Sequence, residues 1–258
     1  MDALTIPIWL QAGLWGLLGG SALVIGAAIA WVVRLPQRVI AAVMAIGAGV
    51  LISTIAFELM DDAFARGGFD STALGFVGGA LAYTAANVVI SRRGARHRKR
   101  SGGNDSESLP DASQGSGAAI AVGALLDGIP ESVVIGISLI GGSGVGLVTV
   151  AAVFLSNVPE GLSSAAGMKR AGHGAGYVFG VWGGIALASG VAAMLGNLLL
   201  VDAGGEVVAA VTAIAAGAIL AMLVDTMIPE ATEETHDYSG LIAVIGFLVA
   251  FMLSKLGG

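Results

Sequence analysis

Long apolar runs fill most of this 258-residue chain, and polar residues collect in short stretches between them. A helix that crosses the hydrocarbon core of a bilayer needs about 20 mostly apolar residues. Eight runs reach that length, and each is predicted to form one spanning helix. By residue number, the runs are 8–33, 38–60, 72–91, 118–141, 144–168, 173–200, 205–228 and 238–256. We therefore expect an all-α fold, with one transmembrane domain of eight helices over residues 1–258.

Composition supports a membrane protein and excludes other classes. Hydrophobic residues make up 56% of the chain and charged residues 12%, whereas a soluble domain has about 25% charged residues. This charge is too sparse for the surface of a water-soluble enzyme or a nucleic-acid binder, so the expected surroundings are a lipid bilayer. Cysteine is absent, which excludes disulfides, thiolate metal sites and cysteine nucleophiles.

The distribution of basic residues predicts the orientation in the membrane. The stretch 92–117 is basic at its start and then rich in Gly, Ser and Asp, which is typical of a flexible loop. If both termini lie outside, the inner loops hold ten Lys and Arg residues, and the outer segments hold only Arg66 and Lys255. Cytoplasmic loops carry the excess of basic residues. We expect a cytoplasmic loop at 92–117, with both termini outside a plasma membrane (the inner membrane of a Gram-negative cell).

Acidic residues near the middle of the fourth and fifth runs are the candidate chemistry. Asp127 and Glu131 are four residues apart, so they share one helix face. In the fifth run, Glu160 has Ser156 four positions and Asn157 three positions before it. An ionisable group at membrane depth is costly and marks a functional site by default.

A proline precedes each of the two glutamates. Pro130 and Pro159 have no N–H to donate, so each is expected to leave a backbone carbonyl of its helix available. If the fourth and fifth helices pack antiparallel, their carboxylates face each other near the middle of the membrane. Carboxylates that lie close together there repel one another, so they are expected to hold either protons or a cation. Oxygen ligands with one amide suit hard or borderline divalent ions.

Four segments carry a resemblance to a known family. In chain order they are FELMDDAF at 57–64, DGIPES at 127–132, SNVPEG at 156–161 and LVDTMIPEATEE at 223–234. Together and in this order they resemble the motifs of the ZIP family of divalent metal transporters. The first motif position is usually His in that family, and here it is Asp127 and Ser156.

The resemblance implies a fold, a function and a set of metal ligands. It implies eight helices in a 3+2+3 arrangement, with helices 1, 4, 5 and 6 as the transport part and helices 2, 3, 7 and 8 as the scaffold. The implied function is uptake of divalent metal into the cytoplasm by alternating access, without enzyme activity. The implied metal ligands are Asp127, Glu131, Ser156, Asn157 and Glu160. Zinc, iron, manganese and cadmium are the candidate substrates, and the absence of the motif histidines favours the harder ions and leaves open one metal site or two.

Further acidic residues are expected on the path of the ion. Glu58, Asp61 and Asp62 would attract cations at the outer entrance, or form a solvated acidic cap. Asp225 and Glu230 lie where an inner release path would be. A homodimer is a further expectation, because the scaffold would need a stable partner.

Two alternatives stay open. Asp127 and Asp225 would be the acid and base of an intramembrane aspartate-dependent hydrolase, since two carboxyls that share a proton can perform acid–base chemistry. The missing motif histidines also allow a metal-sensing relative that binds the ion without transporting it.

Overall fold

A computed structural model describes residues 6–92, 114–140 and 146–257. Most of the predicted loop at 92–117, including His97, lies outside the described residues. Within the described ranges, every regular element is helical. The α-helices are α1 (Ile8–Val32), α2 (Gln37–Thr54), α3 (Met60–Ile90), α4 (Gln114–Ile137), α5 (Leu147–Arg170), α6 (Ala175–Leu200), α7 (Gly205–Met222), α8 (Ile228–Thr235) and α9 (Ser239–Gly257). Two π-helical turns, Ile55–Leu59 and Leu223–Met227, join α2 to α3 and α7 to α8.

Helix length and composition confirm an all-α membrane protein with several spans. Six helices among the described residues are long and apolar enough to cross a membrane. They are Ile8–Val32, Gln37–Ile90, Leu147–Arg170, Ala175–Leu200, Gly205–Glu233 and Ser239–Leu256.

The sequence predicts a connection at 61–71, but the chain is helical on both sides of a single break within that stretch. Arg66 Nε lies 2.7 Å from Asp62 Oδ1 in an i,i+4 ion pair, and such pairs support a helix. The helix breaks at Gly68, where φ is 68° and ψ is −172°. Glycine adopts positive φ without a steric penalty, so the break falls at Gly68 and not at the acidic residues before it.

The predicted inner loop after residue 228 is also largely helical. Helix α8 extends to Thr235, and a short 3₁₀ turn, His236–Tyr238, follows it. Pro229 does not end the helix: it directly follows the π turn Leu223–Met227, and the chain stays helical through it to Thr235. Glu233 and Glu234, which follow the end of the predicted run 205–228, therefore lie in a helix, and Asp237 lies in the 3₁₀ turn.

The buried side chains form two main cores. The first helix group consists of α2, α3, α7 and α8, which share one core with the two π turns and with Val134 of α4. The second helix group consists of α1, α5 and α6, which share another core with Ile40 of α2 and Ala124 of α4. Helix α4 thus lies between the two groups, and it packs mainly against α6.

Glycines allow the helices of one group to approach closely. A Cβ atom added at Gly20 of α1 would lie 2.9 Å from Ala186 Cα of α6. A Cβ atom at Gly75 of α3 would lie 2.8 Å from Ala210 O of α7. Such backbone contacts are typical of membrane helices that pack through small residues, and they tie the helices of each group together.

Lys169 near the end of α5 fixes the end of α1. Its Nζ donates to Trp31 O at 2.6 Å and lies 5.1 Å from the centre of the Trp31 ring. Next to it, Arg170 donates to Gln37 Oε1 at 3.0 Å. These bonds bring the end of α5 to the connection between α1 and α2.

We expect Lys169→Met to lower the free energy of unfolding by about 1–3 kcal/mol, since a charge-assisted hydrogen bond and a cation–π contact are lost. Thermal unfolding in detergent measures the effect. Lys255→Met is the matched control, because Lys255 Nζ lies 5.7 Å from the Phe57 and Phe251 rings. An equal loss of unfolding free energy in the two variants would contradict the conclusion that the bond from Lys169 to Trp31 O stabilises the fold.

Candidate functional site

The two proline-containing helices bury the candidate carboxylates. Pro130 lies inside α4 and Pro159 inside α5. Asp127 and Glu131 are each 1% exposed, and Glu160 is 5% exposed. Three carboxyl groups are therefore withdrawn from the protein surface in helices that are otherwise largely apolar.

Glycines of α1 and α2 enclose the Pro159 turn of α5. A Cβ atom at Gly47 of α2 would lie 2.8 Å from Pro159 Cγ. A Cβ atom at Gly26 of α1 would overlap the Val158 carbonyl oxygen. The backbone of α1 thus lies against the backbone of the segment that carries Glu160, and the backbone of α2 lies against the ring of Pro159.

Asp127 is bound by a tyrosine of the first helix group. Tyr83 of α3 donates its hydroxyl to Asp127 Oδ1 at 2.7 Å. Tyr83 is 2% exposed, so this hydrogen bond is enclosed by protein. A hydrogen bond to a carboxylate fixes its orientation, and partners of this kind tune ligand groups in metal sites.

Glu230 of α8 is also bound by a hydroxyl group, that of Ser163. Ser163 of α5 donates its hydroxyl to Glu230 Oε1 of α8 at 2.9 Å, and Glu230 is 3% exposed. Ser163 follows Glu160 by three residues, so the two side chains lie on the same part of α5. Glu230 therefore packs beside the segment of Glu160.

The amide and hydroxyl expected as ligands have defined contacts. Asn157 Nδ2 donates to Gly19 O of α1 at 3.1 Å, so the amide is oriented by α1. Ser156 Oγ donates to Val153 O within its own helix at 3.0 Å. Both side chains are buried, and in each the oxygen is the atom that can bind a cation.

No group of three or more His, Asp or Glu side chains close enough to hold a metal ion occurs in the part of the chain that the structure describes. The expected meeting of Asp127, Glu131 and Glu160 around one ion is thus not seen as a three-carboxylate cluster. The ligand assignment stays a prediction.

Two of the residues expected on the path of the ion, Glu58 and Asp225, lie in the two π-helical turns. Glu58 is half-buried in the first turn, Ile55–Leu59, and Asp225 is exposed in the second, Leu223–Met227. Asn87 of α3 donates to Asp225 Oδ2 at 3.1 Å. Single π turns in helices are frequent at functional sites.

The remaining entrance residues begin α3. Asp61 is exposed, and Asp62 pairs with Arg66. A carboxylate that is paired with an arginine attracts a cation less strongly than an unpaired one. Asp62 is therefore the weaker of the two entrance candidates.

Three polar residues of the site were not identified as candidates from the sequence. Tyr83 and Asn87 are four residues apart in the third run, and Ser163 follows the Pro-Glu motif of the fifth. The i,i+4 pair of polar residues in an otherwise apolar run was the available signal, because polar groups inside spanning helices usually bind something. Their partners could not be identified without the packing of α3 on α4 and of α5 on α8.

Comparison with known proteins adds no assignment. No protein-family model matches the chain, and no curated protein matches it.

Proposed function

We propose that this protein is a divalent metal cation transporter of the ZIP type, which moves zinc, iron, manganese or cadmium into the cytoplasm by alternating access. In this proposal it is a carrier and not an enzyme. It lies in the plasma membrane with eight spans in a 3+2+3 arrangement and with both termini outside. The break at Gly68, which divides the long helical stretch Gln37–Ile90, and helix α4 support the higher span number.

The burial of Asp127, Glu131 and Glu160 is the observation that carries this proposal. Withdrawing a carboxylate from water costs several kcal/mol unless protons, cations or strong hydrogen bonds compensate. A chain with so few charged residues nevertheless places three carboxylates in two proline-containing helices. Binding of a doubly charged ion is a function that accounts for this cost.

The donor atoms suit a hard or borderline ion. No three-carboxylate group exists among the described residues, so the substrate ion would take its charge compensation from one or two carboxylates. Neutral oxygens such as Asn157 Oδ1 would complete the ligand shell. Carboxylate and amide oxygens favour manganese and iron, since zinc prefers nitrogen and sulfur ligands.

The two helix groups support a mechanism with relative movement. Each group has its own main core, which includes one residue of the other part: Val134 of α4 in the first core and Ile40 of α2 in the second. Movement of one group against the other would exchange these contacts and leave most of each core in place. The proposed transport part, α1 with α4, α5 and α6, contains both proline helices. The proposed scaffold consists of α2, α3, α7 with its continuation α8, and α9, which is the predicted eighth helix. It contains both π turns, and with them Glu58 and Asp225.

Uptake by the purified protein in sealed vesicles tests the proposal. Vesicles that contain the protein should take up Mn²⁺, Fe²⁺, Zn²⁺ or Cd²⁺ faster than protein-free vesicles, and they should not admit Na⁺ or K⁺ faster. Uptake of none of the four divalent ions by correctly folded protein would overturn it. Binding of an ion without uptake would instead favour the sensor alternative.

A further inference from the structure

The inter-helix hydrogen bonds fall into two kinds. Within the second helix group and between it and α4, side chains bind backbone carbonyls: Asn157 binds Gly19 O, Lys169 binds Trp31 O, and Asn197 of α6 binds Gly136 O of α4. A backbone carbonyl moves with its helix and has no rotamer to change. Bonds of this kind therefore strengthen a unit that moves as one.

In the described part of the chain, the hydrogen bonds that connect the first helix group with the proline helices include two buried ones that join a hydroxyl to a carboxyl group, besides the exposed Arg170–Gln37 bond. The two buried bonds are the Tyr83–Asp127 bond at 2.7 Å and the Ser163–Glu230 bond at 2.9 Å. We refer to them as the boundary hydrogen bonds. A bond between two side chains can break by rotation of either one, without any change in the helices.

Each boundary hydrogen bond lies one helical turn from a glutamate of the candidate ion site. Asp127 lies one turn before Glu131 in α4, and Ser163 lies one turn after Glu160 in α5. The same two helices that carry the site glutamates are thus each held to the first helix group beside the site. Any movement of α4 and α5 along α3 and α8 must break both bonds.

We propose that Tyr83 and Ser163 are positioning residues of the transport cycle, whose hydroxyls hold α4 and α5 against the first helix group in the conformation described here and release them in the other conformation. This inference rests on the proposed function for the existence of a cycle. The contacts themselves make a prediction about conformation that does not need transport. Loss of either hydroxyl destabilises the described conformation relative to one in which these bonds are absent.

Distances between paired spin labels test the inference, because the natural chain has no cysteine. Leu74→Cys in α3 and Leu199→Cys in α6 place labels at exposed positions on the two groups. Leu74→Cys with Val207→Cys in α7 gives a pair within the first group. The distances are measured in the full-length protein without added metal, first with the natural Tyr83 and Ser163.

The test variants are Tyr83→Phe, Ser163→Ala and the two combined. Each single variant should raise the share of a second distance between the groups by roughly tenfold, and the combination should raise it further, since each lost hydrogen bond to a carboxyl group is worth about that much. The pair within the first group should not change. Ser132→Ala is the control, because Ser132 Oγ binds Gly128 O inside α4 at 2.7 Å.

The outcomes separate this inference from the proposed function. An unchanged distance distribution in the combined variant, in a protein that takes up metal, would overturn the inference and leave the transport proposal standing. A shifted distribution in a protein that neither binds nor takes up metal would support the boundary role and overturn transport. A change that also appears within the first group would show general loosening and would overturn the inference.

Discussion

Glu131→Gln is expected to abolish metal uptake while the protein remains folded. The amide has almost the same shape, so packing in α4 is retained, but the negative charge that compensates a divalent ion is lost. Removing one partner of a buried ion pair costs about 3–5 kcal/mol, which corresponds to an interaction weaker by roughly 150- to 4000-fold. Initial uptake rates in vesicles over a range of metal concentrations measure the effect.

The stability of the same variant distinguishes a binding role from a structural one. Glu131 is almost fully buried, and a neutral amide is less costly to bury than a charge. The unfolding temperature of Glu131→Gln without metal should therefore not fall below that of the natural protein, whereas stabilisation by added metal should disappear.

Glu206→Gln is the matched control, since Glu206 is exposed in the first turn of α7 and the change is the same. Equal uptake by Glu131→Gln and the natural protein would contradict the site assignment.

The sequence predicts the helical class of this fold well because membrane helices are defined by local composition. Several apolar runs appear as helices with ends shifted by a few residues, such as the predicted run 173–200, which is α6 (Ala175–Leu200). The runs 38–60 and 72–91 instead lie in one helical stretch, Gln37–Ile90. The errors occur where composition and conformation separate. Residues 61–67 are polar enough to suggest a loop, but they are helical. The ion pair between Asp62 and Arg66 supports the helix, and the break comes after them, at Gly68.

The site was predictable in its carboxylates and not in their partners. Burial of Glu131 and Glu160 follows from their positions near the middle of apolar runs. The burial of Glu230 and its hydrogen bond with Ser163 could not be predicted, because both depend on helix α8, and the sequence does not distinguish that helix from a loop. Tyr83 illustrates the general limit, since its partner Asp127 lies 44 residues away and only the packing of α3 on α4 brings them together.

The π turns show the same limit for local structure. Glu58 and Asp225 were identified as acidic residues near the ends of two helices, and both lie in turns with an extra residue. An inserted residue changes which side chains face the core without changing composition, so hydrophobic periodicity gives little warning of it. That Glu58 and Asp225, two of the five access candidates, lie in such turns is therefore information that only the structure provides.

Gly161→Ala is expected to destabilise the protein strongly, and Gly128→Ala to be tolerated. A Cβ atom at Gly161 of α5 would overlap the Leu23 carbonyl oxygen of α1 and lie 2.8 Å from Leu23 Cα. Helices α1 and α5 would have to separate, and such overpacking costs about 1–3 kcal/mol or more. Thermal unfolding and the yield of monodisperse protein measure the effect.

Gly128 provides a matched control, because it also lies in a Pro-Glu segment and receives the same substitution. The nearest atoms to its added Cβ are Ser189 Oγ at 3.8 Å and Ile185 Cγ2 at 3.9 Å, which are ordinary contacts. Alanine in a helix is also favoured over glycine by roughly 0.5–1 kcal/mol, so the unfolding temperature should stay the same or rise.

Metal uptake should be lost in Gly161→Ala and retained in Gly128→Ala. Separation of α1 from α5 would move Gly19 away from Asn157 and disturb a candidate ligand, so Gly161→Ala should also lose transport in whatever protein remains folded. Similar stability in the two alanine variants would mean that α1 and α5 do not approach as closely as described, and the enclosure of the Glu160 segment would then need another explanation.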